Sequence, residues 1–187
     1  MDVCVWQGQR VKLRAVEPTD WETFFDSDQD SQAARESYHI PFPRSREATK
    51  RWAEEIAMEK SEGDAFRWVI ADLTGTVVGT INTHSCDRRH GRFGYGLAVR
   101  GEYQRKGYAS EAIRLVLRYF FEELRYHKAT VQVYAVNEAS IRLHQKLGFQ
   151  EEGRSRDMIY TQGRYVDELT FGLTFDEWAS APLSRFE

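Results

Sequence analysis

Two basic residues and a glycine stand just before a helix in the middle of the chain, in the run Gln104, Arg105, Lys106, Gly107, Tyr108 and Ala109. Apolar residues then recur every three or four positions, which predicts an amphipathic helix: Ala109, Ala112, Ile113, Val116, Leu117, Phe120 and Leu124. A helix start has unpaired N–H groups and a partial positive charge, so it can receive a phosphate, and a glycine there allows close approach of the backbone. The alternative is an ordinary solvated loop with two surface cations.

Three polar residues fall on one face of a later helix. Asn137 follows a β-branched and aromatic run and is a residue type that favours the N-cap position. Ser140 and His144 follow at spacings of three and four, which places all three on nearly the same side of the helix. An imidazole can exchange a proton near neutral pH. His144 is therefore a candidate for chemistry, and a plain helix residue is the alternative.

The elements that must hold these residues follow from hydrophobic periodicity and from the glycines and prolines. The pattern predicts the order β-α-α-β-β-β-α-β-α-β-β, with strands at 11–14, 66–73, 77–83, 92–99, 129–136, 150–160 and 164–174. One helix begins at Trp21, and a second runs from 45 to about 60 with Trp52, Ile56 and Met58 on its buried side. The second half contains a βαβ unit, and open α/β sheets bind ligands where such a unit places a helix start beside strand ends.

Composition limits the functional classes. The 187 residues carry a net charge of −3 with 41% hydrophobic content, which predicts one folded domain, 11–176, with terminal extensions at 1–10 and 177–187. This charge gives no reason to expect nucleic acid or a membrane surface as a partner. Cys4 and Cys86 have no Cys or His neighbours at metal-ligand spacing. We therefore expect reduced thiols, no metal site and a cytoplasmic protein.

Residues 104–109 resemble the acetyl-CoA signature of the GCN5-related N-acetyltransferases (the GNAT superfamily), Gln/Arg-x-x-Gly-x-Gly/Ala. Residues 137–149 look like the second half of that signature, an asparagine, a short helix and then Gly148 and Phe149. The ending Gly163 to Glu168 is similar to the branch of ribosomal-protein alanine and spermidine acetyltransferases. The resemblance implies an α/β (α+β) single-domain fold. Its central sheet would be mixed, mostly antiparallel and twisted, flanked by helices and splayed between the fourth and fifth strands.

The resemblance also implies an activity, the transfer of an acetyl group from acetyl-CoA to a primary amine by direct attack in a ternary complex. The amine would belong to a protein N-terminus, a polyamine or a small molecule, and a homodimer is left open. Acetyl-CoA would lie between the fourth and fifth strands, where the family's cofactor contacts correspond to Leu97, Ala98, Val99, Gln104, Arg105, Lys106, Gly107, Tyr108, Ala109, Asn137 and Ser140.

The chain departs from the family pattern at two catalytic positions. His144 stands where many members have a tyrosine that protonates the leaving thiolate, so His144 is the candidate acid. The strand 92–99 lacks the glutamate that many members use as a base. An alkylamine has a pKa near 10, so a base or a water chain must remove its proton. The base is left unassigned, and a non-catalytic acyl-CoA sensor or interaction domain is the alternative function.

The resemblance also implies that the acceptor site lies among residues 20–46 and 155–166. Acidic residues crowd the first of these ranges, where they would attract a cationic amine or simply form a solvated helix face: Asp20, Glu22, Asp26, Asp28 and Asp30. Arg35, Arg44 and Arg46 could instead bind a carboxylate or phosphate on the acceptor.

Overall fold

A seven-stranded sheet in the order β1-β2-β3-β4-β5-β7-β6 forms the centre of the computed structural model, which describes residues 4–37, 40–60 and 63–181. Its strands are β1 (Val11–Arg14), β2 (Arg67–Asp72), β3 (Val77–Asp87), β4 (Arg92–Val99), β5 (Lys128–Tyr134), β6 (Gln150–Thr161) and β7 (Arg164–Thr174). Only the β4–β5 pair is parallel, because a helix connects these two strands, and the other pairs are antiparallel.

Six α-helices occur in the described residues: α1 (Trp21–Ser27), α2 (Ser31–Ser37), α3 (Arg46–Met58), α4 (Tyr108–Arg118), α5 (Glu138–Lys146) and α6 (Phe175–Ser180). The single helix expected from Trp21 is therefore two helices. The second begins because the Asp30 carboxylate accepts hydrogen bonds from the N–H groups of Gln32 and Ala33, which is how an N-cap residue starts a helix. No helix in the described ranges is long and apolar enough to cross a membrane.

The helices cover both faces of the sheet. On the face we call the α4 face, β4 buries Phe93 and Tyr95, and the Phe93 ring stacks 4.2 Å from that of Phe120, just beyond α4. On the opposite face, the α3 face, Val69 packs with Phe24 and Ala53 of α1 and α3. Because side chains alternate along a strand, Gly94, Gly96 and Ala98 of β4 lie on the α3 face.

The sheet opens between β4 and β5. Their register covers Arg92 with Lys128, Phe93 with Ala129 and Gly94 with Thr130, and it ends there. Each strand continues along its other neighbour, β4 with β3 as far as Val99 and β5 with β7 as far as Tyr134. The carboxyl halves of β4 and β5 therefore border a V-shaped gap, and the predicted splay between the fourth and fifth strands is confirmed.

Two local expectations were wrong. Met58 is 82% exposed rather than buried, because α3 turns Thr49 and Ala53 towards the sheet. The strand expected to end at 83 continues to Asp87 as part of β3, since the polar residues after Thr83 still pair with β4 across an irregular register. The N-terminal segment also packs on the domain, because the Trp6 ring lies 5.3 Å from that of Trp68 and 4.4 Å from that of Tyr119.

Candidate active site

The gap between β4 and β5 brings the first group of predicted residues together. Leu97, Ala98 and Val99 form the end of the β4 arm, beyond the last residue that is in register with β5. Their edge of β4 is not part of a ladder with β5, so it can pair with an extended group inserted into the gap. On its other side, the arm pairs with β3 as far as Val99.

The basic turn lies at the end of the same arm. The Gln104 side chain donates a hydrogen bond to the carbonyl of Val99 over 3.3 Å, which ties the turn to the strand. Arg105 and Gly107 both have a positive φ, at 60° and 86°, and Gly107 is the N-cap of α4. Because α4 begins directly at Tyr108, its free N–H groups face the exposed turn, as phosphate binding requires.

A third cation lies at this turn, and no sequence motif predicts it. A Cβ at Gly107 would lie 3.4 Å from Cδ and 3.5 Å from Nε of Arg10, so the Arg10 side chain lies against the glycine. Glu111 in the first turn of α4 holds that segment, because its carboxylate accepts hydrogen bonds of 2.8 Å from the backbone N–H groups of Gln9, Arg10 and Val11. The basic turn therefore has basic side chains from two separate segments.

Asn137, Ser140 and His144 lie together on the first turns of α5. The Asn137 side chain accepts a hydrogen bond from the N–H of Ser140 over 2.9 Å and donates one to the carbonyl of Glu36 over 3.2 Å. It therefore caps α5 and also links it to α2. Ser140 in turn contacts His144, because its hydroxyl lies 3.3 Å from Nδ1 of the imidazole.

His144 is a buried imidazole with one nitrogen bound and one without a partner. Nδ1 lies 2.8 Å from the carbonyl of Ser140, and a carbonyl can only accept, so Nδ1 carries the hydrogen. Nε2 is buried and has no hydrogen-bond partner among the described residues. Burial lowers the pKa of His144 below 6.5, against a smaller opposing effect of the bond to Ser140. The neutral ring therefore presents a lone pair at Nε2, and only the imidazolium can donate a proton there.

Tyr95 of β4 completes the α4 side of the gap. Its ring stacks on that of His144 with centroids 5.9 Å apart, and its hydroxyl is buried without a hydrogen-bond partner among the described residues. Burial raises the pKa of Tyr95 well above 10, so the hydroxyl keeps its proton. Buried polar groups are normally hydrogen-bonded, so two such atoms beside an open strand edge fit a site that a polar ligand completes.

A cleft of about 530 Å³ lies on the α3 face, next to the β4 arm. Ala98 and Val99 form one wall, and α1 together with its link to α2 contributes Asp26, Asp28 and Asp30. Asp20 does not reach this cleft, because it is buried in a two-bond ion pair that raises the pKa of Arg14. The predicted acidic run of five residues thus divides into the buried Asp20, the exposed Glu22 outside the cleft, and three residues that line the cavity.

Arginines line the cleft as well, and most are already engaged. Arg44 pairs with Asp28 over 2.7 Å, and Arg100 pairs with Glu102 over 2.8 Å. Arg67 of β2, which the sequence did not single out, lines the cleft and forms no ion pair within the described residues. Burial lowers the pKa of Arg67. Arg46 lies outside the cleft, with its guanidinium 4.8 Å from the centre of the Phe25 ring.

A sheet that opens beside a glycine-containing helix start, with a polar cleft against the same strand, is an arrangement that can hold an extended anionic cofactor next to a second substrate. Residues 10–150 match the family model described as the acetyltransferase (GNAT) domain. The chain belongs to this family. It catalyses the family reaction, the transfer of an acetyl group from acetyl-CoA to an amine.

Relatives extend the match over nearly the whole chain. The SPbeta prophage-derived uncharacterized N-acetyltransferase YokL of Bacillus subtilis is 43% identical over 178 residues, which cover 95% of this chain and 97% of the relative. The spermidine N(1)-acetyltransferase of Escherichia coli is 27% identical over 85% of this chain and 83% of its own length. The fold matches spermidine N-acetyltransferase from Vibrio cholerae, solved in complex with CoA and spermine, with a TM-score of 0.79 at 21% identity, over 91% of this chain and 98% of that one.

Proposed function

We propose that this protein acetylates a cationic primary amine that binds in the cleft on the α3 face, by direct attack of the amine on acetyl-CoA held in the gap. The observation that carries the proposal is the position of the cleft. It shares Ala98 and Val99 with the β4 arm, so an amine in the cleft is next to the strand edge that would bind the thioester.

The charges of the cleft support a cationic acceptor. Asp28 and Glu102 are neutralised by Arg44 and Arg100, and Asp30 caps α2. Asp26 is exposed, and its carboxylate makes no hydrogen bond or ion pair with any described residue. An unpaired carboxylate at the wall of a cleft attracts an ammonium group and orients it. The similarity to a spermidine acetyltransferase is in keeping with such an acceptor.

The other lining groups suggest what else the acceptor carries. Phe24 and Trp52 provide an apolar wall, and Arg67 lies over the Trp52 ring at 6.0 Å. An acceptor with an alkyl body between the rings would bury apolar area there. A carboxylate or phosphate on the far end would pair with Arg67. Peptide α-amines and amino-alkyl compounds can meet both requirements, the alkyl body and the acidic group. A polyamine meets only the requirement for an alkyl body.

For the cosubstrate, we infer the following roles. The backbone of Leu97, Ala98 and Val99 would pair with the pantetheine arm, and the N–H groups of residues 104–109 would hold the pyrophosphate with Arg105 and Lys106 beside them. Asn137 and Ser140 would border the arm at the start of α5. His144 would face the sulfur from the α4 side, where an imidazolium could donate a proton to the leaving thiolate. When bound, acetyl-CoA supplies the activated acyl group.

A thiol-release assay with acetyl-CoA tests the proposal across polyamines, peptides, aminoglycosides and amino acids. We expect release with cationic primary amines, and we expect Asp26→Asn to raise KM for such an amine roughly fivefold or more. The reason is that two charges 4 Å apart attract by about 1 kcal/mol in water and more near a protein surface. The affinity for acetyl-CoA should not change.

Glu22→Gln is the matched control, because Glu22 lies on the same helix, is exposed and does not line the cleft. Two results would contradict the proposal. One is tight acetyl-CoA binding without thiol release for any amine, as expected of a sensor domain. The other is an unchanged KM in Asp26→Asn, which would place the ammonium elsewhere.

A further inference from the structure

We propose that His84 is the general base that removes the proton from the acceptor amine, an inference that rests on the proposed function. His84 lies on β3, where it pairs with Gly94, and Gly94 pairs with Thr130 as the last β4 residue in register with β5. Paired residues share a face of the sheet, so His84 lies on the α3 face with Gly94. The imidazole therefore lies at the point where the gap begins, on the side of the acceptor cleft.

The ring extends over β4 itself. A Cβ at Gly94 would lie 2.6 Å from Cε1 and 3.0 Å from Nδ1 of His84, so the imidazole fills the space that a side chain at position 94 would occupy. On this face, the β4 residues that follow Arg92 are Gly94, Gly96 and Ala98, none of which has a functional group. The strand that would hold the thioester therefore receives its nearest proton-accepting side chain on this face from β3.

A cavity of about 310 Å³ opens around the ring and is lined by His84 and Ser85 of β3, by Arg92, Phe93 and Gly94 of β4, and by Thr130 and Gln132 of β5. One register pair, Asn82 with Gly96, separates it along the strands from the acceptor cleft, whose wall includes Thr80 and Ala98. Both cavities open on the same face of the sheet. The space is large enough for a water molecule, so the imidazole can act directly or through one bound water.

The backbone beside His84 is shaped to aim the ring. Ser85 has a φ of +50°, in the left-handed region, and the β3–β4 register slips between His84 and Asp87. Such bulges re-aim side chains, and strained residues persist only where their surroundings hold them. The Ser85 hydroxyl lies 3.1 Å from Nδ1. With that hydroxyl accepting from Nδ1–H, the lone pair that takes a proton is on Nε2.

Charged groups surround the ring, and most are paired. Arg92 lies 3.3 Å from Asp87, which also binds His90 at 2.9 Å. Across β5, Glu152 lies over Gly172 and pairs with Lys128 at 2.6 Å.

Other candidate bases would have to come from the neighbouring strands β5 and β7. The β5 residues that line the cavity, Thr130 and Gln132, are neutral and cannot take this role. Glu168 of β7 pairs in register with Tyr134 nearer the open end of the gap, on the same face, and it is the rival base.

The proposed step conserves protons and electrons. Nε2 of His84 takes one proton from the ammonium, and the freed nitrogen lone pair attacks the thioester carbonyl, forming the C–N bond. The C–S bond breaks as the tetrahedral centre collapses, and the sulfur leaves with the electron pair and takes one proton from the His144 imidazolium or from water. The amide nitrogen loses its remaining excess proton to solvent or to a re-formed neutral imidazole. His84 is exposed, so it returns its proton to water before the next turnover.

The test is His84→Gln, which keeps a polar side chain of similar length and removes the base. At pH 7 we expect kcat/KM for the acceptor to fall by about 10²–10⁴-fold with unchanged acetyl-CoA affinity and melting temperature. The deficit should shrink at least tenfold towards pH 9.5, because the acceptor amine then loses its proton to solvent without help. A merely structural role would not produce this recovery.

His90→Gln is the matched control, since it removes an exposed imidazole six residues away, and its activity should stay within twofold of the parent. Glu168→Gln tests the rival. Two outcomes would overturn the assignment. One is normal kcat/KM in His84→Gln together with a loss of kcat/KM in Glu168→Gln that recovers at high pH. The other is a loss of kcat/KM in His84→Gln that does not depend on pH. Thiol release by the parent is measured first. If the parent shows no turnover, the proposed function is refuted, and this result is distinct from a failure of the role assigned to His84.

Discussion

Removing the Glu111 carboxylate should both destabilise the protein and weaken its hold on acetyl-CoA. Glu111 accepts three hydrogen bonds of 2.8 Å from consecutive backbone N–H groups, of which those of Gln9 and Arg10 are exposed and that of Val11 is partly buried. In Glu111→Ala, water can replace the acceptor at the exposed groups. At Val11, a fully buried residue, the N–H would be left with no acceptor.

The magnitude follows from these three bonds. Hydrogen bonds to a charged group contribute about 1.5–3 kcal/mol each when they are shielded, and less when water can compete. One shielded bond and two exposed ones suggest a loss of about 2–4 kcal/mol. For a domain of this size, 1 kcal/mol lowers Tm by about 2–4 °C, so we expect a decrease of about 4–16 °C. Glu111→Gln should lose less, because its amide oxygen still accepts.

Two measurements check this expectation. Thermal unfolding followed by circular dichroism gives the change in Tm, with Glu122→Ala as the control for loss of an exposed glutamate just beyond α4. Titration with acetyl-CoA at a temperature where both proteins are folded gives the change in Kd. That Kd should rise because Arg10 is no longer fixed against Gly107. A Tm within 1 °C of the parent would refute the role of Glu111 in holding the N-terminal segment.

Three further outcomes are expected. Gly107→Val should lose the stabilisation by acetyl-CoA, which is about 2.7 kcal/mol at a hundredfold excess over Kd. Gly75→Val is the control, because Gly75 has a φ of +92° and open space around it, so a side chain there causes similar backbone strain. In a melting assay, this control should keep the shift in Tm that acetyl-CoA produces. His144→Phe should keep acetyl-CoA affinity and lower turnover by about 10²–10⁴-fold in steady-state kinetics, and a loss below about threefold would return His144 to a structural role. Burial lowers the pKa of His144 in the folded state, so the unfolded chain binds a proton more readily. The parent should therefore lose stability as the pH falls through 6.5. Urea unfolding at about pH 7.5 and 5.5 should show a weaker pH dependence of the free energy of unfolding in His144→Phe.

The features that could be predicted from sequence are those encoded by local periodicity. The amphipathic stripe fixed α4, and Asn137 and Gly148 marked the two ends of α5, because caps and apolar spacing act within a few residues. The positions of Arg10 and His84 depend instead on contacts between distant segments. Arg10 reaches Gly107 only because Glu111 binds its backbone, and His84 covers Gly94 only through the β3–β4 register. No single window of sequence contains either relation.

The two faces of the gap also differ in how they can handle protons. On the α4 face, His144 is 4% exposed and its surroundings disfavour the charged imidazolium. On the α3 face, His84 is exposed beside an open cavity. In the proposed mechanism, each turnover takes a proton from an ammonium in the acceptor cleft, and the base must pass it on before the next amine arrives. A group in contact with solvent on the acceptor side meets both conditions. This is why we propose the base on the α3 face and assign to the buried imidazole only the single proton needed at the sulfur.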